Sequence, residues 1–136
     1  MSLELKRVEE PFVFELKNDD GVIIGIDANP SIGGKNKGLR PMELLAGSVA
    51  GCASIDILLI LKKQRIEPTH FSISIETKRA DAVPAIFDEI KLIFHVNPEV
   101  PKDKLEKAIV LTLEKYCSVS ASLKENISVI YEVKFI

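Results

Sequence analysis

The sequence predicts an α+β fold with the element order βββ-α-ββ-α-β. Three observations carry this expectation. Six short segments, three early and three late, read as strands, and all but the third alternate apolar and polar residues with the period of half-buried strands. One mostly apolar run of 20 residues, Met42 to Leu61, is too long for a strand. The segment Lys102 to Cys117 repeats its apolar residues at helical spacing. Connections within each strand set are of hairpin length, so the sheets are expected to be largely antiparallel. A chain of 136 residues is expected to be a single domain, 1–136, and such a domain buries about two-thirds of its unfolded surface.

Residues 3–8 alternate weakly and read as a first strand. After Pro11, Phe12, Phe14 and Leu16 alternate with Val13, Glu15 and Lys17 to give a second. Asn18-Asp19-Asp20-Gly21 is a turn, with Gly21 supplying positive φ. Val22 to Ile26 is the third strand. Asp27 to Leu39 is a loop broken by Asn29-Pro30, Gly33-Gly34 and Gly38. Its glycines and lysines invite a phosphate-binding reading, but the Gly-x-x-x-x-Gly-Lys-Ser/Thr order is missing, and a mobile linker is expected instead.

Pro41 suits the first turn of a helix, and Glu43 suits its positive end. The helix is expected to run to about Gln64, with Lys62, Lys63 and Arg65 at its negative end, and to measure roughly 35 Å. Its first half is apolar or small on every side, the signature of a helix buried all round. A domain of this size has difficulty wrapping such a helix, so a partner subunit is expected. The run is long enough to span a bilayer. Asp56 well inside it, at a cost of roughly 2.5–3.5 kcal/mol for a central Asp, together with several small residues, argues for burial in protein instead. Beyond the turn at Glu67-Pro68-Thr69, residues 71–76 and 86–96 are strands, and 80–85 connect them. Lys102 to Cys117 is an amphipathic helix with Leu105, Ala108, Ile109, Thr112, Leu113, Tyr116 and Cys117 on one stripe. Residues 118–126 are irregular or briefly helical, and 127–135 form the last strand.

The net charge of −2 gives no basic footprint for nucleic acid. The absence of Trp and the few aromatics argue against a stacking platform. No apolar signal region opens the sequence, so a cytoplasmic protein is expected, in a compartment where disulfides are transient. His70 and His95 stand 25 residues apart with no metal-ligand spacing, and no metal or cofactor is expected. No Gly-x-Ser-x-Gly elbow supports a serine hydrolase.

The chemistry rests on two cysteines, Cys52 and Cys117, 65 positions apart. Two readings fit them: a paired redox device, or two small buried hydrophobes. A redox pair requires Cα atoms within about 7 Å and something to offset the rise in thiol pKa that an apolar setting causes. Arg40, twelve residues before Cys52, is the nearest cation in sequence. Tyr116 and Ser120 offer hydroxyl donors, for which capping or core satisfaction is the alternative role. Helical geometry puts Glu43 on the face opposite Cys52 and Asp56 one turn beyond it on the same face. Asp56 is a poor thiol activator, since a carboxylate near a thiolate raises both pKa values. It is expected to be a hydrogen-bonded anchor for a cation or a loop cap.

The cysteine contexts add a resemblance over nearly the whole chain. Gly38-Leu39-Arg40-Pro41-Met42-Glu43-Leu44-Leu45-Ala46-Gly47-Ser48-Val49-Ala50-Gly51-Cys52 resembles the first cysteine helix of the OsmC/Ohr family, and Glu114-Lys115-Tyr116-Cys117-Ser118-Val119-Ser120 resembles its second cysteine segment. The resemblance implies antiparallel sheets wrapped around two central helices in an intertwined homodimer. It also implies active sites at the subunit interface and thiol-dependent reduction of organic or hydrogen peroxides, with a dithiol as reductant for some members. Carried over to this sequence, Cys52 is the peroxidatic residue and Cys117 the resolving one. Two positions depart from the family pattern. Met42 stands where the family has a Glu directly after the Pro, and Glu43 follows it. Lys17, Asn18, Asp19 and Asp20 stand where the family has an early Arg, leaving Arg40 as the substitute. These features, with the Pro-x-Glu-Leu-Leu segment and an Asp after the cysteine, resemble a separate branch of the family. The alternative function is a non-enzymatic dimer of this fold that binds a hydrophobic small molecule or senses oxidants.

Overall fold

A computed structural model describes all residues, Met1 to Ile136. They form two compact units, Met1–Leu45 and Ala46–Ile136.

In the first unit, β1 (Leu3–Glu9), β2 (Val13–Asn18) and β3 (Ile23–Ile26) make an antiparallel meander in that order. The β2–β3 turn closes as the sequence requires. The Asn18 side chain accepts the N–H groups of Asp20 and Val22 at 3.0 and 2.9 Å, and Gly21 adopts φ 82°. The loop after β3 is tied down rather than mobile. Asp27, only 2% exposed, accepts hydrogen bonds from the N–H groups of Ala28, Lys35 and Lys37 at 2.7, 2.9 and 3.2 Å. Glu9 receives both lysine ammonium groups, Lys35 at 2.8 Å and Lys37 at 2.6 Å. The loop then returns to β3, where Leu39 N–H meets the Gly25 carbonyl at 3.1 Å. A Cβ on Gly38 would overlap the Gly25–Ile26 peptide, so glycine here serves a close approach of backbones.

Helix α1 (Pro41–Lys63) begins where Pro41 and Glu43 predict. The Glu43 carboxylate reaches back to the Arg40 N–H at 2.8 Å, half of a capping box. The helix ends in a Schellman arrangement: Ile66 N–H bonds the Leu61 carbonyl, Arg65 N–H bonds the Lys62 carbonyl, and Arg65 adopts φ 61°. Within this one chain α1 buries a stripe rather than its whole circumference. Ala46, Val49, Ala50, Ala53, Ile57 and Leu61 are buried, whereas Ile55 and Leu59 are 63% and 54% exposed. α1 is long and apolar enough to cross a bilayer by length and composition, with a mean hydropathy of 2.2 over its 18-residue window.

In the second unit, β4 (Phe71–Arg79), β5 (Phe87–Val96) and β6 (Ser128–Phe135) form a sheet in that order. β4 pairs antiparallel with β5, but β6 pairs parallel with β5. The helical segment between β5 and β6 is a crossover that returns the chain to the starting end, which makes the pair parallel. Central β5 carries the core: Ile90, Leu92, Phe94 and Val96 are fully buried, and Phe94 meets Phe71 edge-on with ring centroids 5.9 Å apart. Leu105 and Ile109 of α2 (Lys102–Leu111) are also fully buried.

The expected single helix to Cys117 is corrected. α2 stops at Leu111, a wider π turn covers Thr112–Tyr116, and a short α3 covers Ser118–Ala121. The widening turns Tyr116 out, to 49% exposure, and Cys117 in, to 2%.

The grip of Asp27 on its loop gives a pH prediction. Backbone hydrogen bonds, first that from Lys35, hold its carboxyl below the ordinary value of 3.8. A depressed carboxyl stabilises the fold fully above the unfolded value, and that stabilisation is lost as pH falls through the lower folded value. Wild type should lose denaturant midpoint below pH 3.8 more steeply than Asp27→Asn. Coincident acid profiles for the two proteins would contradict this role.

Candidate functional site: a thiol pair beside a cavity

The second unit brings the two cysteines together. Cys52 lies mid-way along α1 and is half-buried, while Cys117 follows the π turn and is buried. Both are free thiols. Cys117 leaves helical geometry at ψ 101°, and its N–H reaches back five residues to the Thr112 carbonyl at 2.8 Å. Its sulfur then acts as the N-cap of α3, accepting the Ser120 N–H at 3.4 Å.

Burial pushes the Cys117 thiol above its ordinary value of 9.0. The Ser120 N–H offsets part of that rise. The neighbouring Cys52 thiol adds to it. Cys117 is thus a thiol that holds its proton beside a second sulfur, in a setting that stabilises S–H over S⁻.

The other expected residues divide. Ser120 is at the pair, but the bond to sulfur comes from its backbone N–H, not its hydroxyl. Tyr116 faces away from the core, with the Lys115 ammonium 5.3 Å from its ring centroid. Arg40 and Glu43 belong to the first unit and are bonded to each other through the helix cap. Asp56 forms neither the expected cation pair nor a loop cap; it lines a cavity of about 440 Å³. The cavity's α1 wall is Asp56, Leu59, Ile60, Lys63 and Gln64, and Leu111 and Tyr116 close the other side. Cys52, Asp56, Leu59 and Lys63 follow one another at i, i+4, i+7 and i+11, so the cavity continues the Cys52 face of the helix. His70 and His95 each hydrogen-bond a serine of β4, Ser72 at 3.2 Å and Ser74 at 2.9 Å.

Sequence reasoning missed three members of this region: Lys63 and Gln64 as cavity wall, and Thr112. The i, i+4, i+7, i+11 stripe from Cys52 could have found Lys63. Nothing in the pattern marks the π turn that Thr112 heads.

Residues 34–132 match the OsmC-like protein family. The chain belongs to the OsmC-like family. It is 35% identical over 101 residues to Protein YhfA of Escherichia coli strain K12, covering 72% of this chain and 75% of YhfA. Among solved structures, a hypothetical protein from Aquifex aeolicus VF5 is 34% identical with a TM-score of 0.80, covering 99% of this chain and 96% of that one. The organic hydroperoxide resistance protein OhrB of Bacillus subtilis is 19% identical with a TM-score of 0.69 over 98% of both chains, a likeness of fold. In this OsmC-like chain the mixed α+β architecture is that of its structural neighbours.

The raised thiol predicts alkaline behaviour. The folded protein keeps the Cys117 proton at pH values where the unfolded chain has lost it. The resulting stabilisation is full below 9.0 and is lost as pH rises through the higher folded value. Cys117→Ser keeps an N-cap acceptor but does not titrate there. The denaturant midpoint of wild type should fall more steeply above pH 9.0 than that of Cys117→Ser. Parallel curves would contradict the assignment.

Proposed function

We propose that this OsmC-like protein is a two-cysteine thiol peroxidase that reduces organic hydroperoxides or hydrogen peroxide at the expense of a dithiol, as a cytoplasmic homodimer. The observation that supports it most is the interacting pair of free thiols, one half-exposed and one buried with a raised pKa.

In this reading the Cys52 thiolate attacks the outer peroxide oxygen. The S–O bond forms, the O–O bond breaks, and the alcohol leaves with a proton. Cys52 is then a sulfenic acid. The Cys117 sulfur attacks the Cys52 sulfur, the S–S bond forms, and the oxygen departs as water. A dithiol reductant returns both thiols by exchange. Cys52 takes the first role because it is the more accessible sulfur, and Cys117 the second because its buried thiol keeps its proton until it is needed. Glu43 lies on the face opposite the Cys52 of its own helix, so Arg40 and Glu43, joined at the head of α1, are assigned to the thiolate and peroxide of the partner subunit in the proposed homodimer.

The exposed apolar face of α1 supports the homodimer. Ile55 and Leu59 stand out from it, and a side chain at Gly47 or Gly51 would meet nothing, so a second helix has room to approach. Sedimentation at micromolar concentration should show a dimer, and a stable folded monomer there would contradict the proposal.

A second reading, a binding dimer without turnover, is favoured by the cavity of about 440 Å³ next to the pair. Cumene hydroperoxide with dithiothreitol separates the two. Wild type should consume peroxide catalytically, Cys52→Ser should not, and Cys117→Ser should react once and stall at sulfenic or higher acids. Peroxide loss in wild type no faster than in buffer would leave the binding reading.

A further inference from the structure

The mechanism just described leaves one buried polar group unused. Thr112 is fully buried, and its Oγ1 has no hydrogen-bond partner. A helical threonine commonly turns its hydroxyl onto the carbonyl four residues back. Here the Ala108 and Ile109 carbonyls take the Thr112 N–H, and the hydroxyl stays free. Such a group destabilises the reduced fold, and a valine of similar shape would not.

Its backbone ties it to the buried member of the thiol pair. Thr112 heads the π turn, and its carbonyl holds the Cys117 N–H at 2.8 Å. π turns are uncommon and recur at functional sites. The donor given to the Cys117 sulfur is the Ser120 N–H at 3.4 Å. An oxygen on the Cys52 sulfur would need a donor of its own. Oxidation creates that acceptor, because a sulfenic acid carries an oxygen one covalent bond beyond the sulfur.

We propose that the Thr112 hydroxyl is a catalytic residue of the resolving step, donating a hydrogen bond to the sulfenic oxygen of Cys52 as Cys117 displaces it; this rests on the two-cysteine reading above. In that step the Cys117–Cys52 S–S bond forms and the Cys52 S–O bond breaks, its electron pair going to oxygen. The oxygen takes the proton given up by the Cys117 thiol and leaves as water. Thr112 keeps its own proton and stabilises the charge that builds on the departing oxygen.

Thr112→Val and Thr112→Ser test this. Each reduced protein receives one equivalent of cumene hydroperoxide, and sulfenic acid and disulfide are followed by quench, dimedone labelling and mass spectrometry. Thr112→Val should form the sulfenic acid at the wild-type rate and close the disulfide about ten- to a hundredfold more slowly, the size of one hydrogen bond to a charged group. Thr112→Ser should close at close to the wild-type rate. Reduced Thr112→Val should melt at or above wild type, since it removes an unpartnered hydroxyl. Disulfide closure in Thr112→Val at the wild-type rate would overturn the proposal, as would equal slowing of both steps. A lower melting point for the reduced valine variant would also overturn it, by showing that the hydroxyl already has a partner. Wild type that forms neither product would overturn the peroxidase reading and this proposal together. That outcome differs visibly from a normal wild-type disulfide with an indifferent Thr112.

Discussion

The second unit brings the Cys52 and Cys117 thiols close enough to interact. One sulfur comes from the middle of a long helix and the other from a point where a helix gives way. A regular α-helix through residue 117 would direct its N–H to residue 113. Instead the Cys117 N–H goes to Thr112, and the sulfur is freed to cap α3 through Ser120. The π turn therefore sets two things together: the burial of Cys117 and the exposure of Tyr116. Burial then holds the Cys117 proton in place.

α1 imposes the second constraint. Its apolar residues exceed what one chain covers, so a buried stripe and an exposed apolar face share one helix. Leaving residues such as Ile55 and Leu59 in water forgoes about 25 cal/mol for each Å² of apolar surface that a partner would cover. The same helix carries Cys52 and one wall of the cavity, so the proposed assembly and the proposed chemistry depend on the same element.

Much of this was legible in the residues. Period-2 alternation located every strand but β3, which is a short apolar run after a turn, Pro41 and Glu43 marked the head of α1, and Lys62 and Lys63 marked its end. Local composition encodes such features directly. The fixed loop was misread because its glycines suggest freedom, whereas one buried carboxylate, Asp27, collects three of the backbone N–H groups around it. The parallel β5–β6 pair was missed because strand direction depends on the path of the crossover, which no strand sequence contains. In the site, both cysteines were legible from their contexts, and Ser120 was named for its hydroxyl when its N–H makes the bond. Thr112 was placed on the core stripe of the expected Lys102–Cys117 helix, and it does lie buried. That its hydroxyl has no partner is a property of its surroundings that spacing does not report.

The central claim is that Cys52 and Cys117 act as one unit. Peptide mapping under non-reducing conditions, after one equivalent of hydroperoxide, tests it most directly. The account predicts a single cross-linked peptide joining Cys52 to Cys117 within one chain, and an intact mass lower by two hydrogens. Two unmodified thiols, or separate oxygen adducts on the two cysteines without a cross-link, would contradict it.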